Sequence, residues 1–213
     1  GDTTSSPRGL YISVTAVGIG EKDKVVKRST AKEGDILCVT GDLGAAYLGR
    51  QLLEREKQVF LEDPNMQPAL DEHAYLIERQ LKPEARVEMV NIFAKANFIP
   101  TAMMDVSDGI ASDIMHICKM SGVGVMIEEA KVPIRQDVEI LAIDFNMDPI
   151  TVALSGGEDY ELLFTADEKD LEKIQHLPDT SIIGEIVGTE QGLNLLSTGG
   201  NIHPLKAQGW KHF

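Results

Sequence analysis

The chain has 213 residues, 43% of them apolar, and its 34 acidic against 20 basic side chains give a formal charge of −14. That length fits one domain near the upper end of the usual range of roughly 50–250 residues, with enough chain to bury a sizeable core. The acidic excess argues against a nucleic-acid surface or an anionic membrane as partner, and no stretch approaches the roughly 20 apolar residues of a membrane span.

Residues 10–17 alternate as a half-buried strand does and end in Gly18-Ile19-Gly20. A second extended stretch is expected over 25–30. The turn Glu33-Gly34-Asp35 leads into 36–40, a short apolar run fit for a central strand. Gly41-Asp42-Leu43-Gly44 then opens a helix over 45–56; two glycines in four residues suit an ordinary tight connection better than an anion cradle. Between 60 and 97 the period is helical, with Leu70, Ala74, Ile77 and Leu81 on one face, Val87, Val90, Phe93 and Ala94 on another, and Pro83 between them. His73, beside Asp71 and Glu72, reads as a surface histidine.

Strands are expected at 101–104, 122–127, 160–165, 181–187 and 193–196, and helices from Ile110 onward and over 137–145 and 167–176, with a short apolar turn or helix at 150–154. The alternation predicts an α/β (α+β) fold with a mixed sheet covered by helices. Cys38 and Cys118 each lie inside an apolar run and are expected as buried thiols, with no disulfide and no zinc motif. The opening residues lack the charged and apolar regions of a secretory signal, so a cytoplasmic protein is expected.

Chemistry concentrates in Asp105-Val106-Ser107-Asp108-Gly109-Ile110-Ala111-Ser112-Asp113, a strand-to-helix turn. Asp105 closes the strand, Ser107 and Asp108 stand where the helix begins, and Gly109 permits close approach of whatever the turn holds. A single Asp or Ser there would be only a cap. A second carboxylate adds repulsion unless a cation, proton or donor offsets it, and paired aspartates suit a hard cation such as Mg²⁺ that also binds phosphate oxygens. The unpaired N–H groups of a helix start suit phosphate as well.

The second stretch is Ser155-Gly156-Gly157-Glu158-Asp159-Tyr160-Glu161-Leu162, where polar groups crowd a strand entry that needs only one turn residue. Taken alone, the glycine pair reads as a simple turn. Near the end, Trp210 is the chain's only tryptophan, placed either to dock on the core or to cover a flat ligand.

Together these two stretches, the opening Gly1-Asp2-Thr3-Thr4 and the closing Gly209-Trp210-Lys211-His212-Phe213 resemble, in that order, the thiamine-monophosphate kinase family over essentially the whole chain. The acidic turn alone is also similar to the wider superfamily of aminoimidazole ribonucleotide synthetase and selenophosphate synthetase. The resemblance implies that superfamily's C-terminal domain fold and transfer of the γ-phosphoryl of ATP to thiamine monophosphate with several Mg²⁺ ions. It implies Asp2 and Asp105 as metal ligands, with Asp2 also at the nucleotide, and Asp108 on a further Mg²⁺. Asp105 and Asp108 would form the catalytic pair. Ser107 and Arg28 would contact ATP, and Glu158 and Trp210 the thiamine phosphate.

Family members are homodimers and carry an N-terminal α/β domain before the Gly-Asp-Thr-Thr turn. Residues 1–20 are therefore expected as an edge strand and linker belonging to that ATP-binding domain, and 21–213 as the C-terminal domain, inactive by itself. Two other readings stay open: an ATP-dependent superfamily enzyme acting on a different small molecule, and a non-catalytic nucleotide- or metal-binding module.

Overall fold

Alternation in the run Ile-Leu-Cys-Val-Thr makes β1 (Ile36–Thr40) a two-faced central strand, with Leu37 and Val39 in one core cluster and Cys38 in another. The computed structural model describes residues 9, 12–68 and 70–206. β1 lies antiparallel between β4 (Leu162–Ala166) and β5 (Thr180–Val187). β2 (Ala102–Asp105) flanks β4. On the other side β3 (Gly124–Glu128) flanks β5, followed by β6 (Leu193–Leu196) and β7 (Ile202–Pro204). Only β3 and β6 run parallel among these pairs, so the sheet is mixed, as the sequence predicts.

On the Leu37 face sits α4 (Ile110–Ser121), which buries Ile110, Ile114 and Ile117 at helical spacing. The Cys38 face carries α3 (Val87–Lys95) and α7 (Leu171–Gln175). There Phe93, Phe98 and Phe164 meet edge to face with centroids 5.2–5.9 Å apart, which holds β4 in place from behind. A third cluster joins α1 (Ala45–Glu62), α2 (Ala74–Leu81), α5 (Gln136–Asp144) and α6 (Pro149–Ser155) through Leu48, Leu52, Leu76, Val138, Leu141 and Val152. Cys38 and Cys118 are free and buried, and burial pushes both thiols up to about 12. Among the described residues no helix is long and apolar enough to cross a membrane.

Three expectations need correction. Residues 12–17 form no strand: Ile12, Val14 and Val17 are exposed, and no neighbouring strand among the described residues takes their hydrogen bonds. The 25–30 stretch is likewise not a strand, although the Lys27 carbonyl accepts the Met103 N–H at 3.1 Å along the free edge of β2. In the 60–97 region the buried positions are Leu76, Met89 and Phe93, whereas Ala74, Leu81, Val87, Val90 and Ala94 face outward. Periodicity found the helices there but rotated their faces, because apolar residues lie on both sides of each.

Candidate active site

The acidic turn is held by the second polar stretch through backbone hydrogen bonds. Val106 N–H donates to the Glu161 carbonyl, Tyr160 N–H to Val106, and Glu158 N–H to Ser107, each at 2.8 Å. This continues the β2–β4 ladder beyond both strand ends. The result places Ser107, Asp108 and Glu158 in the wall of one cleft of about 620 Å³, which Tyr47, Arg50 and Thr151 also line. Arg50, the one cation among the described lining residues, is exposed and has no ion-pair partner among them.

Two glycines make the docking possible. Gly109 has φ +93°, and a Cβ there would come within 2.7 Å of the Leu154 carbonyl at the end of α6; Gly157 has φ +70°, and its Cβ would meet the Ser107 carbonyl at 2.6 Å. Gly109 therefore admits another piece of this same chain, not a ligand. The α6 end it receives is fixed by the start of that helix, where Asp148 caps Thr151 N–H at 3.2 Å and Pro149 takes the first turn. Gly157→Ala is expected to cost about 1–3 kcal/mol, the usual range for an overpacked site. Thermal melting beside kinetics checks this, and an unchanged variant would show that the two stretches need not touch.

Glu158 and Tyr160 also hold positive φ, at 64° and 52°. Strain of about 1–3 kcal/mol per residue persists only where the surroundings over-determine it. Here the paired backbone bonds do so, and the Tyr160 hydroxyl donates to the Glu158 carboxylate at 3.0 Å. Burial and that bond both push the Tyr160 phenol above its ordinary value. The left-handed turn explains why β4 begins at Leu162 and not at Tyr160.

Asp105 closes β2, half-exposed, with Arg28 Nη2 3.6 Å from its carboxylate. The predicted ATP contact and the predicted metal ligand are thus neighbours. Asp2 and Trp210 lie outside the described residues. Among the described residues no cluster of three or more His, Cys, Asp or Glu forms a ready-made metal cage. The donors nonetheless suit Mg²⁺, which takes one or two carboxylates and completes its shell with water and substrate phosphate oxygens.

Sequence reasoning missed three buried acids. Asp113 Oδ2 accepts the N–H groups of Ser107 (3.0 Å) and Asp108 (3.2 Å). Burial pushes its carboxyl up to about 6, opposed by those two bonds and reinforced by the charges of Asp108 and Asp105. Glu161 is fully buried among Thr40, Arg79 and Arg86. Asp159 accepts the Gly44 N–H at 3.1 Å, so the Gly41–Gly44 turn is an ordinary connection whose amide is already used.

Burial is the main cause that pushes Asp159 up to about 7. The fold thus favours its neutral form. Its contribution to stability is fully present below the unfolded value of about 3.9 and is lost as pH rises through about 7. Melting temperatures of Asp159→Asn should fall less than those of the wild type between these limits; parallel profiles would assign the pH dependence elsewhere. A separate hollow of about 500 Å³ near Tyr75 and Met89 has its cations already paired, Arg79 with Glu161, Arg86 with Glu161 and Asp179, and Lys82 with Glu78 and Glu84.

With this geometry in view, residues 32–193 match the family model described as AIR synthase related protein, C-terminal domain. The chain belongs to that family. Within it, similarity runs to thiamine-monophosphate kinases: 33% identity over 95% of this chain with the protein from Aquifex aeolicus, and 35% over 100% with that from Bacillus subtilis. The chain spans 59% and 63% of those relatives' lengths. A solved structure described as AaThiL complexed with AMPPCP and TMP superposes with a TM-score of 0.70 at 33% identity, covering 88% of this chain and 54% of that one. The mixed sheet with flanking helices is therefore the family's architecture.

Proposed function

We propose that this chain is the C-terminal domain of a thiamine-monophosphate kinase, with residues 1–20 leading in from a preceding ATP-binding domain. A terminal oxygen of the thiamine monophosphate phosphate attacks the γ-phosphorus of ATP, the bond to the β-phosphate oxygen breaks, and ADP leaves with that electron pair. Such a transfer asks for positioning and charge neutralisation more than for covalent chemistry. The reading rests on one observation: the Asp105–Asp108 turn and the strained Gly157–Tyr160 segment are docked so that Ser107, Asp108 and Glu158 share one cleft. Similarity to the chain described with AMPPCP and TMP supports it.

In this assignment Asp105, Asp108 and Asp2 hold Mg²⁺, which would neutralise the phosphate charge. Arg28 and Ser107 orient the ATP phosphates, while Glu158 and Trp210 position thiamine monophosphate. A cytoplasmic homodimer is proposed for the whole protein. The exposed Ile12, Val14, Val17 and Ile19 support packing of that stretch against further protein.

The test is conversion of thiamine monophosphate to thiamine diphosphate with ATP and Mg²⁺. The longer protein is expected to turn over. The 213-residue chain should be at least about 10²-fold slower, since even 1 Å of misplacement costs that much. Equal rates would place the whole catalytic set within these residues, and no product from either would sink the kinase reading.

A further inference from the structure

Asp113 is 1% exposed and lies on the stripe of α4 formed by Ile110, Ile114 and Ile117, where the helix otherwise packs into the core. It does not precede the helix as an ordinary cap does. Instead it reaches back from inside the first turn and takes two amides, those of Ser107 and Asp108, on one oxygen. Such amides are the donors that a strand-to-helix turn otherwise offers a phosphate. With both occupied, the turn presents two acids, Asp105 and Asp108, beside the Ser107 hydroxyl and the Arg28 guanidinium that already faces Asp105 at 3.6 Å.

We propose that Asp113 is a positioning residue that makes this turn a cation site and keeps it from being an anion site. It fixes the backbone between Asp105 and Gly109, so that the two carboxylates keep their relative placement. It also occupies the Ser107 and Asp108 amides, so that phosphate approaches the two acids through a divalent ion, beside the contacts of Arg28 and the Ser107 hydroxyl. This deepens the kinase reading and rests on it for the identity of the phosphate. A purely structural cap gives a different outcome, because removing it lowers stability without changing which ligands the turn takes.

The experiment compares wild type, Asp113→Asn and Asp113→Ala in two titrations. Mn²⁺, followed by its paramagnetic resonance, reports the cation site, and calorimetry with ATP in EDTA reports metal-free phosphate binding. Asn Oδ1 accepts both amides, so Asp113→Asn should hold Mn²⁺ nearly as well as the wild type. Asp113→Ala should lose at least about tenfold in Mn²⁺ affinity, as loss of an outer partner of a metal ligand does, while binding metal-free ATP more tightly than the wild type. Unchanged Mn²⁺ and ATP affinities in Asp113→Ala would overturn the proposal. Should the alanine variant fail to fold, the asparagine variant decides: a tenfold loss there would mean that charge, not position, is what Asp113 supplies. Absence of thiamine diphosphate formation by the longer wild-type protein would defeat the kinase reading alone, since the Mn²⁺ comparison needs no phosphoryl acceptor.

Discussion

Asp105→Asn in the longer protein is expected to lower kcat/KM for thiamine monophosphate phosphorylation by about 10²–10³-fold, the loss typical when one charge-stabilising group is removed from a preorganised site. The change keeps the side chain's shape and removes its charge. Stability should barely move, because the partner lost is Arg28, at 3.6 Å across a half-exposed gap, and such pairs contribute less than about 1 kcal/mol. Rates measured across a Mg²⁺ titration, beside a thermal melt, separate the two effects. Unaltered kinetics at every Mg²⁺ concentration would leave Asp105 as no more than the end of a strand.

Glu161→Ala is expected to act in the opposite way, on the fold first. Its carboxylate accepts from Thr40 Oγ1 at 2.6 Å and Arg86 Nε at 2.5 Å, and Arg79 Nη2 stands 2.8 Å away. Removing the acid leaves the buried Arg79 guanidinium without a carboxylate partner and Arg86 with Asp179 alone, which costs about 3–5 kcal/mol. For a chain of this size that corresponds to a fall in melting temperature of roughly 6–20 °C. Because the Glu161 carbonyl also receives Val106 N–H, the acidic turn should loosen as well, and the rate should drop even at temperatures where the variant stays folded. A melting temperature within a degree of the wild type would show that water compensates the arginines.

The sheet apart from β7 was legible because its strands are short apolar runs bounded by glycine and acidic turns, and Ile36–Thr40 needed no tertiary information to be read as central; Ile202–Pro204, three exposed residues, carries no such run. The acidic turn was legible for a similar local reason: two aspartates and a serine at a strand end exceed what a cap requires. What joined it to Glu158 was not legible, since the link is made by backbone groups more than 50 residues apart and side-chain pattern carries no trace of them. Asp113 did leave a signal. It occupies the apolar stripe Ile110, Ile114, Ile117, and an acid on a buried face needs a partner. Asp159 and Glu161 left a weaker one, because their place beside a glycine pair reads equally well as a solvated turn. The stretch over 12–17 misled for the converse reason: alternation reports an apolar face but not whether a neighbouring strand is there to receive it.

The placement of β1 has a consequence for how the molecule is made. Ile36 pairs with Ala166 on one side and Glu185 on the other, partners that emerge from synthesis about 130 and 150 residues later, and such long-range pairing folds slowly, on the order of milliseconds to seconds. Until β4 and β5 arrive, the run Leu37-Cys38-Val39 is an unpaired apolar edge of the kind that aggregates. The acidic turn waits on the same event, because Glu158, Tyr160 and Glu161 provide the backbone that grips it. Ligand binding at that turn should therefore appear in a refolding experiment no earlier than protection of the β1 amides from hydrogen exchange.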